Sequence, residues 1–170
     1  VIIIKELIRI SKYYVFFNIQ FLNDNKEVVS KIQYEFRNYL KDVIIWSKSN
    51  PTPAINETTL TAKWEYVFVF AKPEIAKSRS FKYAFYNNRM KGPLNTNLFE
   101  TPNAGGEKFD GKKECKAIFP KEFVYWFLKK FTKPGDLVLD PFSGLGTTAV
   151  TCKKTGRNFI GFEISENYCN

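Results

Sequence analysis

The stretch that decides the fold lies between residues 137 and 148 and reads Leu137-Val138-Leu139-Asp140-Pro141-Phe142-Ser143-Gly144-Leu145-Gly146-Thr147-Thr148. Its leading apolar residues predict a short buried strand, its two glycines a tight turn, and its threonines the start of a helix over about 147–154. Glycines after a strand let the backbone approach a ligand closely, and the free N–H groups of the next helix favour an anionic group. The stretch therefore predicts a site for a nucleoside-containing ligand.

An acidic residue follows at the spacing that such a site needs. Glu163 closes the next predicted strand, Phe159–Phe162, and comes 23 positions after Asp140. An acid at that distance is placed to accept hydrogen bonds from ribose hydroxyls. Residues 144–149 also match GxGxxA, the looser form of the dinucleotide fingerprint, so a nicotinamide-dependent oxidoreductase is an alternative interpretation.

Strands and helices alternate along the rest of the chain. Apolar runs predict strands over 13–21, 43–46 and 64–71, and Pro120 opens a predicted helix over 121–131. Asp24 and Glu27 have the spacing of a capping box, and apolar residues recur after them at helical intervals, at Val28, Ile32, Phe36 and Tyr39 or Leu40. Residues 92–111 are rich in glycine and proline and predict an extended loop. The alternation predicts an open α/β sheet.

The composition excludes several classes of chemistry. The 170 residues contain no histidine, which rules out serine–histidine and cysteine–histidine nucleophile pairs and all histidine-ligated metal sites. The formal net charge of +9 favours a polyanionic partner. Three cysteines that are far apart, with no CxxC pair, indicate a reducing, cytoplasmic setting. The longest apolar runs have six residues, against the roughly 20 that a membrane span requires, so no membrane partner is expected.

Residues 140–148, followed by 157–163 and Tyr168, resemble the cofactor motif of amino-group DNA methyltransferases, the enzymes that modify N4 of cytosine or N6 of adenine. Residues 41–48, 64–70 and 117–120 resemble further stretches of that family in the family's order. The resemblance implies the Rossmann-like, three-layer α/β/α fold of S-adenosylmethionine-dependent methyltransferases, incomplete here. It also implies a single domain over 1–170, with an irregular target-recognition insertion over 72–114 and a cofactor-binding segment over 115–170.

The family's catalytic tetrapeptide, an Asp, Ser or Asn followed by Pro-Pro and an aromatic residue, is missing from the sequence. Its nearest approach is Asn50-Pro51-Thr52-Pro53, which lacks adjacent prolines and an aromatic residue. In this family the tetrapeptide precedes the region corresponding to residues 1–20, and the chain begins with Val1. We therefore expect an incomplete methyltransferase whose catalytic residues are unknown, with a non-catalytic DNA-binding remnant as the alternative.

The resemblance implies S-adenosyl-L-methionine as the cofactor and an exocyclic amine of DNA as the methyl acceptor. It assigns Asp140 to the amino end of the methionine moiety, Glu163 to the ribose, and the backbone of residues 142–147 to the surroundings of the methionine. The implied cofactor-binding residues are Asp140, Pro141, Phe142, Ser143, Gly144, Gly146, Thr147 and Glu163, with Phe119 and Pro120 as a wall of the pocket.

A basic stretch is the candidate DNA contact. Six basic residues and one acid lie between Lys72 and Lys91, with aromatic residues interleaved. Basic side chains can hold phosphates, and the stretch occupies the interval where this family carries its target-recognition region. The candidate contacts to double-stranded DNA are Lys77, Arg79, Lys82, Arg89 and Lys91. A cognate restriction endonuclease is a further candidate partner.

Overall fold

The structure, a computed structural model, describes residues 2–54, 57–78, 80–81, 96–103 and 118–169. These residues fall into two compact units, which we describe separately. The first unit contains the described residues up to 81 together with 96–100, and the second contains those from 101 onward. The predicted insertion over 72–114 lies mostly outside the described residues.

The first unit is built around a four-stranded sheet. In chain order its elements are α1 (Ile2–Ile10), β1 (Tyr14–Ile19), α2 (Lys26–Glu35), β2 (Leu40–Lys48), β3 (Trp64–Ala71) and α3 (Pro73–Ala76), followed by β4 (Leu98–Thr101). The strand order is β1-β3-β2-β4, and β3 runs antiparallel to both β1 and β2. Strands β1 and β2 therefore run in the same direction, joined through α2, and their carboxyl ends lie at the same edge of the sheet.

The core of the first unit lies between the sheet and helices α1 and α2. Phe68 and Phe70 of β3 project to one face of the sheet, because side chains two apart on a strand share a face. They belong to one buried cluster with Ile4 and Ile8 of α1 and with residues on and after α2 (Val29, Ile32 and Phe36). Ile4 and Ile8 are four apart, so both point to the same side of α1. Burial of these side chains fixes both helices on the sheet.

The helix predicted after Asp24 differs from the structure in its start, its end and its buried side. Helix α2 begins at Lys26 after Asn25, and Asn25 makes no side-chain cap, so the predicted capping box of Asp24 and Glu27 does not form. The Asn25 side chain instead accepts the Leu22 N–H at 2.8 Å, which closes the preceding turn. Helix α2 ends at Glu35 and buries Val29, whereas Val28 is exposed and Leu40 begins β2.

Three elements of this unit were not predicted, the short helix α3 among them. Helix α1 has only a short isoleucine-rich sequence without a capping residue, and β4 lies inside the predicted loop over 92–111. Strand β4 pairs with the edge of β2, and the Ile45 N–H donates to the Asn97 carbonyl at 2.8 Å. A four-residue edge strand is stabilised by a partner that is distant in sequence, so local patterning does not reveal it.

The second unit contains a parallel βαβ arrangement. Its elements are α4 (Lys121–Phe131), β5 (Leu137–Asp140), α5 (Thr147–Lys154), β6 (Asn158–Gly161) and α6 (Glu166–Cys169). Strands β5 and β6 pair in parallel, with Leu137 opposite Asn158 and Asp140 opposite Gly161. The predicted helices over 121–131 and 147–154 are confirmed, and the last strand begins one residue earlier than predicted. None of the helices in the described ranges is long and apolar enough to cross a membrane.

Helix α4 buries a row of aromatic side chains. Phe123, Phe127 and Phe131, spaced four apart, all lie on its buried side. The Phe123 and Phe127 rings are 4.9 Å apart between centroids, and those of Phe127 and Phe131 are 6.1 Å apart. Helix α4 packs on α5, and α5 packs on β6. This packing supports the strand–turn–helix segment that carries the candidate site.

Candidate cofactor site

The turn after β5 is a compact loop that needs both of its glycines. Gly144 and Gly146 have φ of +51° and +77°, in the left-handed region where side chains are disfavoured. The Gly146 N–H donates to the Ser143 carbonyl at 2.8 Å, and Gly146 is the residue that precedes the first turn of α5. A Cβ at Gly144 would meet no atom within 4 Å, so the backbone there borders open space. The turn thus exposes backbone for close approach by a ligand.

Asp140, the last residue of β5, is held by both of its carboxylate oxygens. Oδ1 accepts the Phe142 N–H at 3.0 Å, and Oδ2 accepts the Thr148 hydroxyl at 2.6 Å. These two donors orient the carboxylate at the carboxyl end of the strand. Each oxygen can accept a second hydrogen bond, so Asp140 retains the capacity to bind a cationic donor.

The carboxylate of Glu163, which follows β6, accepts hydrogen bonds both from its own segment and from the glycine turn. Its Oε2 accepts the Gly144 N–H at 2.7 Å and its Oε1 accepts the Ser165 N–H at 2.8 Å. The Ser165 N–H first, and then that of Gly144, lowers the pKa of the Glu163 carboxyl below its usual value. The side chain is therefore ionised at neutral pH. The structure brings Glu163 and the turn together, and the assignment of Glu163 to the ribose stays a prediction.

Backbone hydrogen bonds fasten the turn to the end of β6. The Ser143 N–H donates to the Phe162 carbonyl at 2.9 Å, and the Phe162 N–H donates to the Asp140 carbonyl at 3.0 Å. The Ser143 hydroxyl also donates to the Asp140 carbonyl, at 3.1 Å. A Cβ on Gly161 would overlap the Ser143 hydroxyl oxygen and the Phe159 ring. The small residue at 161 therefore permits this close approach.

Apolar side chains next to the two acids are left exposed. Phe142 is 68% exposed and Ile164 is fully exposed, and Phe162 is 61% exposed. Phe142 follows the Asp140-Pro141 pair, whereas Phe162 and Ile164 stand on either side of Glu163. The site thus combines carboxylates with apolar surface, which suits a ligand that has both polar and apolar parts.

Phe119 and Pro120, the predicted pocket wall, lie immediately before α4. Pro120 is buried and its carbonyl accepts the Phe123 N–H at 3.1 Å. The Phe119 ring is stacked on that of Phe123, with centroids 4.9 Å apart and planes 9° apart. The pair therefore helps to start α4, and its contribution to a cofactor pocket stays a prediction.

Only part of the predicted DNA contact can be located. Lys77, directly after α3, is exposed. Phe81 in the same stretch packs on Tyr14, at 5.5 Å between ring centroids, and lies beneath the Lys41 ammonium at 4.8 Å. The other four candidates, Arg79, Lys82, Arg89 and Lys91, lie outside the described residues.

The sequence analysis did not assign a role to two residues in and near the site, Thr148 and Arg157. Thr148 lies within the quoted turn motif, but its bond to Asp140 depends on the turn bringing residues eight apart into contact. Arg157 donates to the Thr132 carbonyl at 2.9 Å and to the Thr155 carbonyl at 2.6 Å, and so holds the end of α4 against the loop before β6. The sequence signal for Thr148 is its position at the start of the helix that follows the glycine turn, where its hydroxyl can reach the acid at the end of the strand.

Comparisons with known proteins show the family of this chain. The family model described as DNA methylase, covering N6 and N4 methyltransferases, matches residues 2–170. The Type II methyltransferase M.Cfr9I of Citrobacter freundii is 31% identical over 137 residues, which are 76% of this chain and 42% of that protein. M.HinfI of Haemophilus influenzae is 30% identical over 152 residues, 82% of this chain and 41% of that protein. The chain therefore spans less than half the length of these relatives.

Solved structures share the fold. The complex of M1.HpyAVI with SAM superposes with a TM-score of 0.62 at 25% identity, covering 90% of this chain and 70% of that one. The PvuII cytosine-N4-specific DNA methyltransferase gives a TM-score of 0.69 at 19% identity, covering 91% and 60%. The expected Rossmann-like methyltransferase fold is confirmed by these likenesses. Because the family model matches nearly the whole sequence, the chain belongs to the DNA methylase family of N6 and N4 methyltransferases.

Proposed function

We propose that this chain forms the S-adenosylmethionine-binding part of a DNA methyltransferase that acts on an exocyclic amine, N4 of cytosine or N6 of adenine. The observation that carries the proposal is the bond from the Gly144 N–H to the Glu163 carboxylate. It joins the glycine turn after β5 to the acid after β6, so the two halves of a nucleoside site meet at one edge. Family membership supports the same reaction class.

Each acid suits one part of this cofactor. Asp140, oriented by Thr148 and Phe142, binds the methionine ammonium through the lone pairs that remain on its oxygens. Glu163 accepts the ribose hydroxyls while it keeps its backbone donors. The backbone of residues 142–147 surrounds the methionine, since Gly144 borders open space. Pro141, Ser143, Gly146 and Thr147 shape that turn, and Phe119 and Pro120 form a wall.

The charge of the site favours S-adenosylmethionine over a nicotinamide dinucleotide. In a dinucleotide site, the backbone N–H groups of the glycine turn approach a pyrophosphate. Here one of those donors, at Gly144, already has an anionic acceptor in Glu163, whose lowered pKa keeps it charged. With Asp140 nearby, the turn carries two carboxylates that would repel a pyrophosphate. A ligand with sulfonium and ammonium groups is attracted by the same charges.

The bound cofactor supplies an electrophilic methyl group on a positively charged sulfur. The amine it reaches has a lone pair delocalised into the base, so the reaction depends on positioning and on hydrogen-bond acceptors for the amine protons. What the described residues contribute is cofactor orientation. The base must leave the duplex to meet it. Lys77, Arg79, Lys82, Arg89 and Lys91 would hold the DNA backbone.

Calorimetric titration tests the cofactor assignment. We expect the chain to bind S-adenosylmethionine and not NAD, and Glu163→Ala to weaken binding by about tenfold, through loss of a charged acceptor. Glu166→Ala is the matched control, because Glu166 is an exposed acid on α6 outside the turn. This variant should bind S-adenosylmethionine as tightly as the parent does. Binding of NAD in preference to S-adenosylmethionine would overturn the proposal.

Methylation of DNA is measured separately. The chain is incubated with duplex DNA and S-adenosylmethionine carrying a labelled methyl group, and the DNA is digested to nucleosides. Label in N4-methylcytosine or N6-methyladenine identifies the acceptor. Because the sequence lacks the family's catalytic tetrapeptide, cofactor binding without incorporated label is expected both of an incomplete methyltransferase and of the non-catalytic remnant, and it leaves the cofactor assignment intact.

A further inference from the structure

Lys41 stands at an irregularity near the start of β2. Leu40 lies opposite Phe70 of β3 and Asp42 lies opposite Val69, so Lys41 is an extra residue between two paired positions. A bulge of this kind bends the strand locally and re-aims the side chain of the extra residue. The contacts of the Lys41 side chain are therefore a feature of the bulge and not of the regular strand.

The Lys41 ammonium contacts the segment that follows α3. It donates a hydrogen bond to the Ser78 carbonyl, and it lies over the Phe81 ring at 4.8 Å from the centroid. Burial lowers the pKa of this ammonium, an effect that Asp42 partly opposes. A partly desolvated cation is attracted more strongly to a carbonyl dipole and to an aromatic face than an exposed one is. One side chain of β2 thus holds two points of the segment after α3.

Phe81 joins this segment to a second strand. Its ring packs on the Tyr14 ring of β1, with centroids 5.5 Å apart. Tyr14 begins β1 and lies opposite Ala71, the last residue of β3, and α3 packs on β2 and β3. The contacts of Lys41 with Ser78 and Phe81, and of Phe81 with Tyr14, form the Lys41–Phe81 anchor. The anchor holds the chain after α3 at the edge of the sheet where β1 and β2 begin.

The anchored segment is the start of the basic stretch that the sequence predicts to contact DNA. Lys77 directly precedes Ser78 and its side chain is exposed, while its backbone N–H donates to the Pro73 carbonyl at 3.1 Å. The Lys41 ammonium is already engaged by a carbonyl and a ring of its own chain. The two lysines therefore differ in kind, because Lys41 holds the protein segment and Lys77 presents its charge to solvent.

We propose that Lys41 is a positioning residue for DNA binding, which together with Phe81 fixes the chain after α3 so that Lys77 and the basic residues beyond it meet the DNA backbone together. The inference rests on the proposed function, which assigns this stretch to DNA. A segment that is fixed before binding loses less conformational entropy on contact than a free segment does. Loss of the anchor should therefore weaken several phosphate contacts at once, although Lys41 makes none of them.

The salt dependence of DNA binding tests this inference. The affinity of the chain for a fluorescent duplex of arbitrary sequence is measured by anisotropy over a range of salt concentrations. Lys41→Met should lower the slope of log affinity against log salt by more than the roughly 0.9 that one phosphate contact supplies. Phe81→Ala should also lower the slope, although this change removes no charge. Lys41→Arg retains a donor and a cation over the ring, and should keep most of the slope of the parent.

Tyr34 of α2 and Arg37, which follows α2, supply matched controls. The Arg37 guanidinium lies over the Tyr34 ring at 4.7 Å from the centroid and donates to the Tyr34 carbonyl at 2.8 Å, so it makes the same two kinds of contact on an exposed surface. Arg37→Met should lower the slope by one contact at most, and Tyr34→Ala should leave it unchanged. A loss of one contact or less in Lys41→Met, or the parent's slope in Phe81→Ala, overturns the positioning role.

Limited proteolysis with trypsin measures the anchor without DNA. Cleavage after Lys77 should be faster in Lys41→Met and Phe81→Ala than in the parent, because the segment after α3 is released locally. Cleavage after Lys31, which lies inside α2, should keep the parent's rate. Unchanged cleavage after Lys77 overturns the anchor, and so does equal acceleration at both sites, which indicates unfolding of the whole unit.

The outcomes separate this inference from the proposed function. A parent chain that binds the duplex, with variants that keep its slope, overturns the positioning role and leaves the proposed function intact. A parent chain that does not bind the duplex overturns the inference together with the DNA part of the proposed function. Cofactor binding is judged by its own titration in both cases.

Discussion

The Gly144 N–H and the Glu163 carboxylate, 2.7 Å apart, connect two segments that are 19 positions apart in the sequence. The contact couples the shape of the glycine turn to the charge of the acid that follows β6. Removing the charge should therefore change both the affinity for the cofactor and the pH dependence of folding. Each consequence can be measured on its own.

The first prediction concerns stability at low pH. The folded state lowers the pKa of Glu163, so its contribution to stability is present above the pKa of the unfolded chain and is lost as the pH falls through the folded value. Glu163→Gln should reduce the urea midpoint at pH 7, and the difference from the parent should shrink as the pH falls below about 4. A difference that is constant from pH 7 to pH 3 would contradict this coupling.

The second prediction concerns Thr148, which orients Asp140 through a 2.6 Å bond. Thr148→Val keeps the shape and removes the hydroxyl, so the affinity for S-adenosylmethionine should fall by roughly threefold to tenfold. Thr148→Ser restores the hydroxyl and should recover most of the affinity. If the serine variant binds as weakly as the valine variant, Thr148 contributes packing and not orientation of the carboxylate.

Much of this site can be predicted from local sequence, because neighbouring residues determine a strand, a turn with two glycines and the start of a helix. The helix over 121–131 is also local, since Pro120 opens it and Pro134-Gly135 follow it. By contrast, β4 depends on pairing with β2, from which it is separated by about 50 residues. Likewise, the roles of Thr148 and Arg157 depend on contacts that only the folded turn and helix end create.

The third prediction concerns Gly161. A Cβ there would lie 2.5 and 2.6 Å from two ring carbons of Phe159 and would overlap the Ser143 hydroxyl. Gly161→Ala should therefore lower the free energy of unfolding by about 1–3 kcal/mol, the usual cost of overpacking, and should weaken cofactor binding because the turn is displaced. Urea denaturation and calorimetric titration measure the two effects. A variant as stable as the parent would show that the turn is not pressed against β6.

The fourth prediction concerns the ion pair between Lys48 of β2 and Glu65 of β3. Both side chains are nearly buried, at 11% and 13% exposure, and the Lys48 ammonium also lies 5.4 Å from the Trp46 ring centroid. Lys48→Met leaves Glu65 without its partner and should cost about 3 kcal/mol of unfolding free energy. Replacing both residues, by Met at 48 and Leu at 65, should cost less than the single change. If the double variant loses as much unfolding free energy as the Lys48→Met and Glu65→Leu variants lose together, the two residues are not coupled.

The fifth prediction concerns Cys152, which is fully buried in α5. Burial raises the pKa of its thiol to about 11, an effect that Arg157 partly opposes. Because the thiolate is the reactive form, Cys152 should react with a disulfide reagent at pH 8 roughly a hundredfold more slowly than an exposed thiol, and should react fully in urea. The Cys115→Ser and Cys169→Ser changes leave it as the one thiol to follow. Since the folded pKa lies above the unfolded one, the stability from this group is present below about pH 8.5 and is lost as the pH rises through about 11. Rapid labelling of the folded protein at pH 8 would place Cys152 in solvent and contradict the packing of α5 against β6.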